Sequence, residues 1–180
     1  MSSPAPDAAV IRTPRLVLRR VRPEDDFAGM HAVLSNAQAM TYWSTPPHDS
    51  EDQTRDWLAA MAQTTPDDGD DFIIEFEGRT VGKAGFYRFP DIGYILDPAL
   101  WGQGLVAEAL TPIITRAFAL HGLERITADV DPRNTASIRL LEKLGFAETH
   151  RAEKTWLIAG EWCDSIYFAL TAQDWRARTA

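Results

Sequence analysis

The ten residues WGQGLVAEAL, 101–110, place two glycines one residue apart at the mouth of a helix-like pattern. The first turn of a helix has unpaired N–H groups and a partial positive charge. Glycine lets a ligand come close to that backbone. Gly102 and Gly104 therefore suit an anion cradle made of the main chain of Gly102, Gln103, Gly104, Leu105, Val106 and Ala107, with a pyrophosphate as the fitting guest. A tight turn without a ligand accounts for the same two glycines. The letters also match a degenerate dinucleotide fingerprint, G-x-G-x-x-A.

The flanking segments sort these readings. Upstream, DIGYILD (91–97) is a strand; downstream, 104–121 has a broad apolar helical face that Gly122 is placed to end, and RITADVD (125–131) is a strand. Two strands joined through a helix are parallel, with a right-handed crossover. A dinucleotide fold expects its glycines directly behind the strand and an acid about 20 residues on. Here the segment DPALW intervenes, and Asp131 lies further off than that. A dinucleotide enzyme is the weaker alternative.

Further out, RLVLRRVRP (15–23) alternates as a strand, and 23–36 and 50–63 are helices, the second capped by Ser50. DFIIEFE and TVGKAGFYRF form a hairpin turning at Glu77–Arg79. NTASIRLLEKLGF is a helix from Asn134 to Gly145; 154–158 and 162–170 form a closing hairpin, and a last short helix ends near Trp175. The class is α/β: a mostly antiparallel mixed sheet with one parallel pair and helices on both faces. Residues 1–10 read as a disordered lead-in, and 11–178 as one domain. With 180 residues, the chain can bury a sizeable core.

The net charge of -8 argues against nucleic acid, which is bound through Lys and Arg. No apolar run reaches the roughly 20 residues that span a bilayer, and the first residues lack the pattern of a signal peptide. A cytoplasmic protein without a membrane partner is expected. One cysteine, Cys163, and four scattered histidines offer no metal spacing. Whether the chain is a monomer or a homodimer stays open.

Taken in order, TPRLVLR, IGYILDPALWGQGLVAEAL, DPRNTASIRLLEKLGF, GEWCDSIYFAL and DW resemble the GNAT superfamily of N-acetyltransferases, in its RimJ/RimL-like branch, over about residues 12–175. The chain departs from that pattern at Val106, where Gly or Ala is usual, and at Trp101, where many members have Arg or Gln. The resemblance implies an acetyl-CoA site between strands 91–97 and 125–131, splayed at their ends. Main-chain groups of Tyr94, Ile95 and Leu96 would pair with the pantetheine, and Asn134 would hydrogen-bond it. Trp101 would border the cradle, and Arg139 or Lys143 would reach the adenosine phosphates. No metal is implied.

The implied reaction is direct attack of an amine on the thioester in a ternary complex. The amine must be neutral. At pH 7 this costs about 4–5 kcal/mol for a lysine-like amine but only about 1 kcal/mol for an α-amine. Glu75 and Asp91 are candidate bases, and each also reads as a strand-surface carboxylate. Many members protonate the leaving thiolate with a tyrosine, where this chain has Leu141. The RimJ/RimL-like branch offers a serine, matched by Ser137, which alternatively bonds backbone at its helix start. Tyr42, Trp43, Trp162 and Tyr167 are candidate walls for the acceptor, a small-molecule or peptide amine. A non-catalytic acyl-CoA sensor is the alternative from another class.

Overall fold

The computed structural model describes residues 9–179. Its order is β1 (Ile11–Arg12), β2 (Leu16–Arg19), α1 (Pro23–Leu34), α2 (Glu51–Ala62), β3 (Asp70–Phe76), β4 (Arg79–Arg88), β5 (Asp91–Leu96), a single 3-10 turn (Pro98–Leu100), α3 (Leu105–Ala119), β6 (Arg125–Val130), α4 (Thr135–Leu144), β7 (Ala147–Ile158), β8 (Glu161–Thr171) and α5 (Ala172–Thr179). The strands form one sheet in the order β1-β2-β3-β4-β5-β6-β8-β7. Every neighbouring pair is antiparallel except β5–β6. The mixed α/β sheet with one parallel pair is thus as the sequence implied. Of the expected lead-in, residues 1–8 lie outside the described residues, and Ala9 is buried.

Alternation along the strands assigns each helix to a face. On β3, Phe72 and Ile74 join a core with Leu105, Ala109, Ile113 and Ala117 of α3 and Leu141 and Leu144 of α4. Ile73, between them, points the other way and packs with Met30, Val33 and Leu34 of α1 and Leu58 and Met61 of α2. On β5, Ile92, Tyr94 and Leu96 share the α3 face, while Ile95 shares the α1–α2 face. Substrate chemistry on this sheet therefore has two distinct sides.

Three boundaries differ from the sequence reading. β7 begins at Ala147, not 154, because its first residues, AETHRAEK, are nearly all exposed. An edge strand of charged side chains carries no period-two apolar signal and is held by main-chain pairing to β8. β1 is two residues long, too short to show a period. α5 runs on past Trp175, whose buried indole donates to Thr115 Oγ1 at 3.1 Å. The Ser50 cap is formed: its hydroxyl accepts from the Gln53 amide. Ser50→Ala should cost about 1 kcal/mol, read as a lower urea midpoint with an unchanged slope.

Candidate active site

β5 and β6 are in register at one position only, Asp91 beside Thr127, where the Thr127 amide donates to the Pro90 carbonyl at 3.0 Å. Beyond it, each strand keeps its outer neighbour. β5 stays with β4 from Gly93 to Leu96, and β6 stays with β8 along its whole length. The two parallel strands separate into a cleft whose walls are fixed from outside. The sequence could show that they were parallel, but not where they part.

At the open end of β5 lies the glycine loop. Gly102 and Gly104 both have φ of 76°, the left-handed region that favours glycine. Gly104 is the N-terminal cap residue of the fifteen-residue α3. The Gln103 carbonyl is turned towards Arg15, accepting from Nη1 at 3.0 Å. Arg15 also binds Glu108 in the first turn of α3, Nε to Oε2 at 2.7 Å, and Thr13 donates to Oε1 of the same carboxylate at 2.6 Å. Burial alone would raise the Glu108 carboxyl. The hydrogen bonds from Thr13 and Arg15 outweigh that and hold it below its ordinary value. An acid at the mouth of an anion-binding helix would repel a diphosphate, and this brace offsets its charge.

Val106 is partly buried and packs against the α3-side core, so its side chain is directed away from the loop. Leu105 is buried in the same core. Trp101 is half exposed; its indole N–H donates to the Leu96 carbonyl at 2.9 Å, folding the ring back over the end of β5. The residues present fit a pyrophosphate. Two left-handed glycines open a helix N-terminus, and a Cβ added to Gly102 would meet nothing within 4 Å.

Across the cleft, α4 is capped by Asn134, whose Oδ1 accepts from the Ser137 amide at 3.1 Å. The cap commits that oxygen and leaves the side-chain NH2 outside the cap. Among the described residues, the Ser137 hydroxyl bonds the hydroxyl of Tyr94 on β5 rather than backbone. Burial pushes the Tyr94 phenol up to about 12, against the opposing effect of the Ser137 bond. The sequence reading used Tyr94 only for its main chain and missed this pair. Its signal was the alternation Ile92-Tyr94-Leu96, which puts the phenol on the same side as α4.

The two carboxylates proposed as bases part company. Asp91 is exposed at the closed end of the cleft and accepts from the Thr127 hydroxyl. Glu75 is not brought there. It lies on β3, with β4 between it and β5, and pairs with Arg19, Nε to Oε2 at 3.0 Å. Arg19 also holds buried Asp26 at 2.7 Å, so Glu75 belongs to an ion network that anchors α1. Arg139 and Lys143 are exposed, four residues apart on α4.

The family model of the acetyltransferase (GNAT) domain matches residues 15–147. The chain belongs to the GNAT acetyltransferase family. An alanine N-acetyltransferase of ribosomal protein uS5 from Escherichia coli is 28% identical over 178 residues, covering 92% of each chain. A GNAT-family acetyltransferase from Bacillus anthracis has a TM-score of 0.80 at 25% identity, covering 92% of this chain and 99% of that one. A spermidine N-acetyltransferase from Vibrio cholerae, solved with CoA and spermine, has a TM-score of 0.78 at 19% identity, over 91% of this chain and 99% of that one. This GNAT chain is an acetyl-CoA-dependent N-acetyltransferase that acts on an amine, with acetyl-CoA as co-substrate. The sensor and dinucleotide alternatives give way to it. Among the described residues, no helix is long and apolar enough to cross a membrane. No group of three or more His, Cys, Asp or Glu residues there is placed to hold a metal.

In this GNAT fold, the α1–α2 side of the cleft is bounded by three segments. Arg133, before α4, binds Asp131 at 2.7 Å and Glu161 of the closing hairpin at 3.0 Å, and lies 5.8 Å from the centre of the Tyr42 ring. Arg133 thus links Tyr42 to the hairpin, and Tyr42 is exposed rather than in the core. Trp43 instead packs, partly buried, in the α1–α2 core. Trp162 is half exposed, opposite Leu157. Tyr167 stacks on His150 with centroids 4.4 Å apart and lies opposite Asp129 of β6. Asp129 accepts from the Trp156 indole at 2.8 Å. Asp129, Trp156, His150 and Arg133 were missed. Only Asp129 had a signal, since RITADVD alternates and places it on one side with Thr127, away from Ile126, Ala128 and Val130.

Proposed function

We propose that the acceptor is an α-amine, that of a peptide N-terminus or an amino-acid-like molecule. The observation that carries this is the base on the acceptor side. Asp91 is exposed and, among the described residues, is held by a hydroxyl, while Glu75, the other candidate, is paired elsewhere. Such a carboxylate suits an amine whose neutralisation at pH 7 costs about 1 kcal/mol better than one that costs about 4–5 kcal/mol. The uS5 alanine specificity of the Escherichia coli relative points the same way.

Within this reading, acetyl-CoA supplies the activated thioester, and the chain positions it. The loop amides from Gly102 to Ala107 hold the diphosphate, and the β5 main chain at Tyr94–Leu96 takes the pantetheine with the Asn134 amide. Arg139 and Lys143 face the adenosine phosphates. Asp91 accepts the amine proton directly or through water. The amine nitrogen forms the new C–N bond, and the C–S bond breaks. Ser137, its hydroxyl held by that of Tyr94, donates a proton to the departing sulfur; water returns that proton to the Ser137–Tyr94 pair, and Asp91 releases the amine proton to solvent, so that no net proton is left on the chain. Tyr42, Trp162 and Tyr167 wall the acceptor. We place the protein in the cytoplasm.

A mass-spectrometric screen of acetyl-CoA with peptides, amino acids, polyamines and aminoglycosides tests this. Acetylation at α-amines, with side-chain lysines of the same peptides unmodified, is the expected result. Transfer confined to lysine Nζ or to polyamines would refute it.

A further inference from the structure

On the face of β5 that carries Asp91 at one end and Ile95 at the other stands Gly93. Its backbone does not require glycine, since it is absent from the residues with positive φ. A Cβ built there would stand in open space, with a single atom within 4 Å: Lys83 Nζ, at 3.9 Å. Lys83 lies on β4 opposite Ile95 and is 3% exposed. Its ammonium pairs with Asp71 of β3, Nζ to Oδ2 at 2.8 Å. The other oxygen, Asp71 Oδ1, is buried and has no well-aligned hydrogen-bond partner among the described residues, and burial pushes this carboxyl up despite the facing lysine and the Phe72 amide beside it.

Removing two charges from water is repaid only when geometry is good and the remaining polar atoms are satisfied. Here Asp71 Oδ1 lacks a well-aligned donor, in a row otherwise filled by Ile73 and Ile95. An apolar pair of the same volume would pack the sheet as well. Such a lapse in local consistency is characteristic of a working site. An ammonium has three N–H donors. One meets Asp71, and the group borders the open space over Gly93, two residues along β5 from Asp91.

We propose that Lys83 determines acceptor specificity. Its ammonium, pinned by Asp71, donates a hydrogen bond to the carbonyl or carboxylate oxygen of the acyl group attached to the α-carbon that bears the reacting amine. This rests on the acceptor reading above and narrows it. The site selects α-amino acyl compounds, in which nitrogen and oxygen are three bonds apart through the α-carbon and the acyl carbon, over polyamines, which have no such oxygen. Because Asp71 offsets the charge of Lys83, the selection works through hydrogen-bond geometry, and a neutral peptide carbonyl serves as well as a carboxylate.

Two variants test it. Gly93→Ala puts a methyl group into the space beside Lys83 without a clash. Lys83→Met combined with Asp71→Leu removes the pair without leaving a buried lone charge. For each, kcat/KM is measured with an N-terminal alanyl peptide and with spermidine, together with acetyl-CoA affinity by calorimetry and the melting temperature. The ratio of peptide to spermidine efficiency should fall at least tenfold, mainly through a higher KM for the peptide, with acetyl-CoA affinity retained. An unchanged ratio, or a parallel loss with both acceptors, overturns the role of Lys83. That outcome leaves the α-amine reading intact as long as the parent protein acetylates the peptide; a parent active on spermidine alone overturns both. Should the double variant not fold, Gly93→Ala decides by itself.

Discussion

Ser137→Ala is expected to lower kcat by about 100-fold or more, the usual scale for loss of a positioned proton donor, with little change in acetyl-CoA affinity. The reason is placement. The Ser137 hydroxyl lies between the α4 cap and the Tyr94 phenol and makes its bond to Tyr94 rather than to the helix backbone. Tyr94→Phe keeps the ring and removes the hydroxyl; a loss of about tenfold corresponds to one hydrogen bond of ordinary strength. The pH profile separates the two groups from the acceptor. The phenol is raised to about 12 and keeps its proton through the range of assay. The rate should therefore rise with pH as the acceptor amine loses its proton, without a fall from Tyr94 below about pH 10. By the same sign, any stability gained from a protonated Tyr94 is complete below pH 10, the ordinary phenol value, and lost as pH rises towards 12. Single-turnover kinetics with an α-amine peptide measures both effects. Unchanged kcat in Ser137→Ala would remove the serine from the chemistry.

Gly104→Val should weaken acetyl-CoA binding by about 10- to 100-fold, the equivalent of one charge-assisted hydrogen bond at about 1.5–3 kcal/mol. At φ of 76° a β-branched residue is strained, and the chain can relax only by rotating the amides that open α3. Calorimetric titration with CoA reads the affinity. A melting curve shows whether the rest of the fold has held, as it should for a residue whose only neighbour within 4 Å of an added Cβ is the end of Arg15. Full affinity in this variant would mean that the diphosphate is held elsewhere, and the cradle would lose its role.

Much of the site was legible because its determinants are local. The left-handed turns at Gly102 and Gly104, the Asn134 cap and the Gly145 stop each depend on residues a few places apart, which a linear reading spans. Val106 departed from the family pattern and its direction stayed open in the sequence; the structure shows it packed on the core, one residue after buried Leu105 and three before buried Ala109. Carboxylates were harder to read. Glu75 and Asp91 have similar strand contexts, and only the strand order shows that Arg19 claims one while Thr127 meets the other.

The sequence by itself determined the order of elements, the parallel strand–helix–strand unit and the glycine loop that opens α3, because period, capping and left-handed turns are set within one or two turns of chain. Tertiary structure alone decided where β5 leaves β6, that Tyr94 meets Ser137 across 43 residues, and that Lys83 reaches Asp71 beside Gly93. Those contacts depend on strand register. A shift of one residue turns every side chain to the opposite face, and no short stretch of sequence specifies the register between strands distant in the chain.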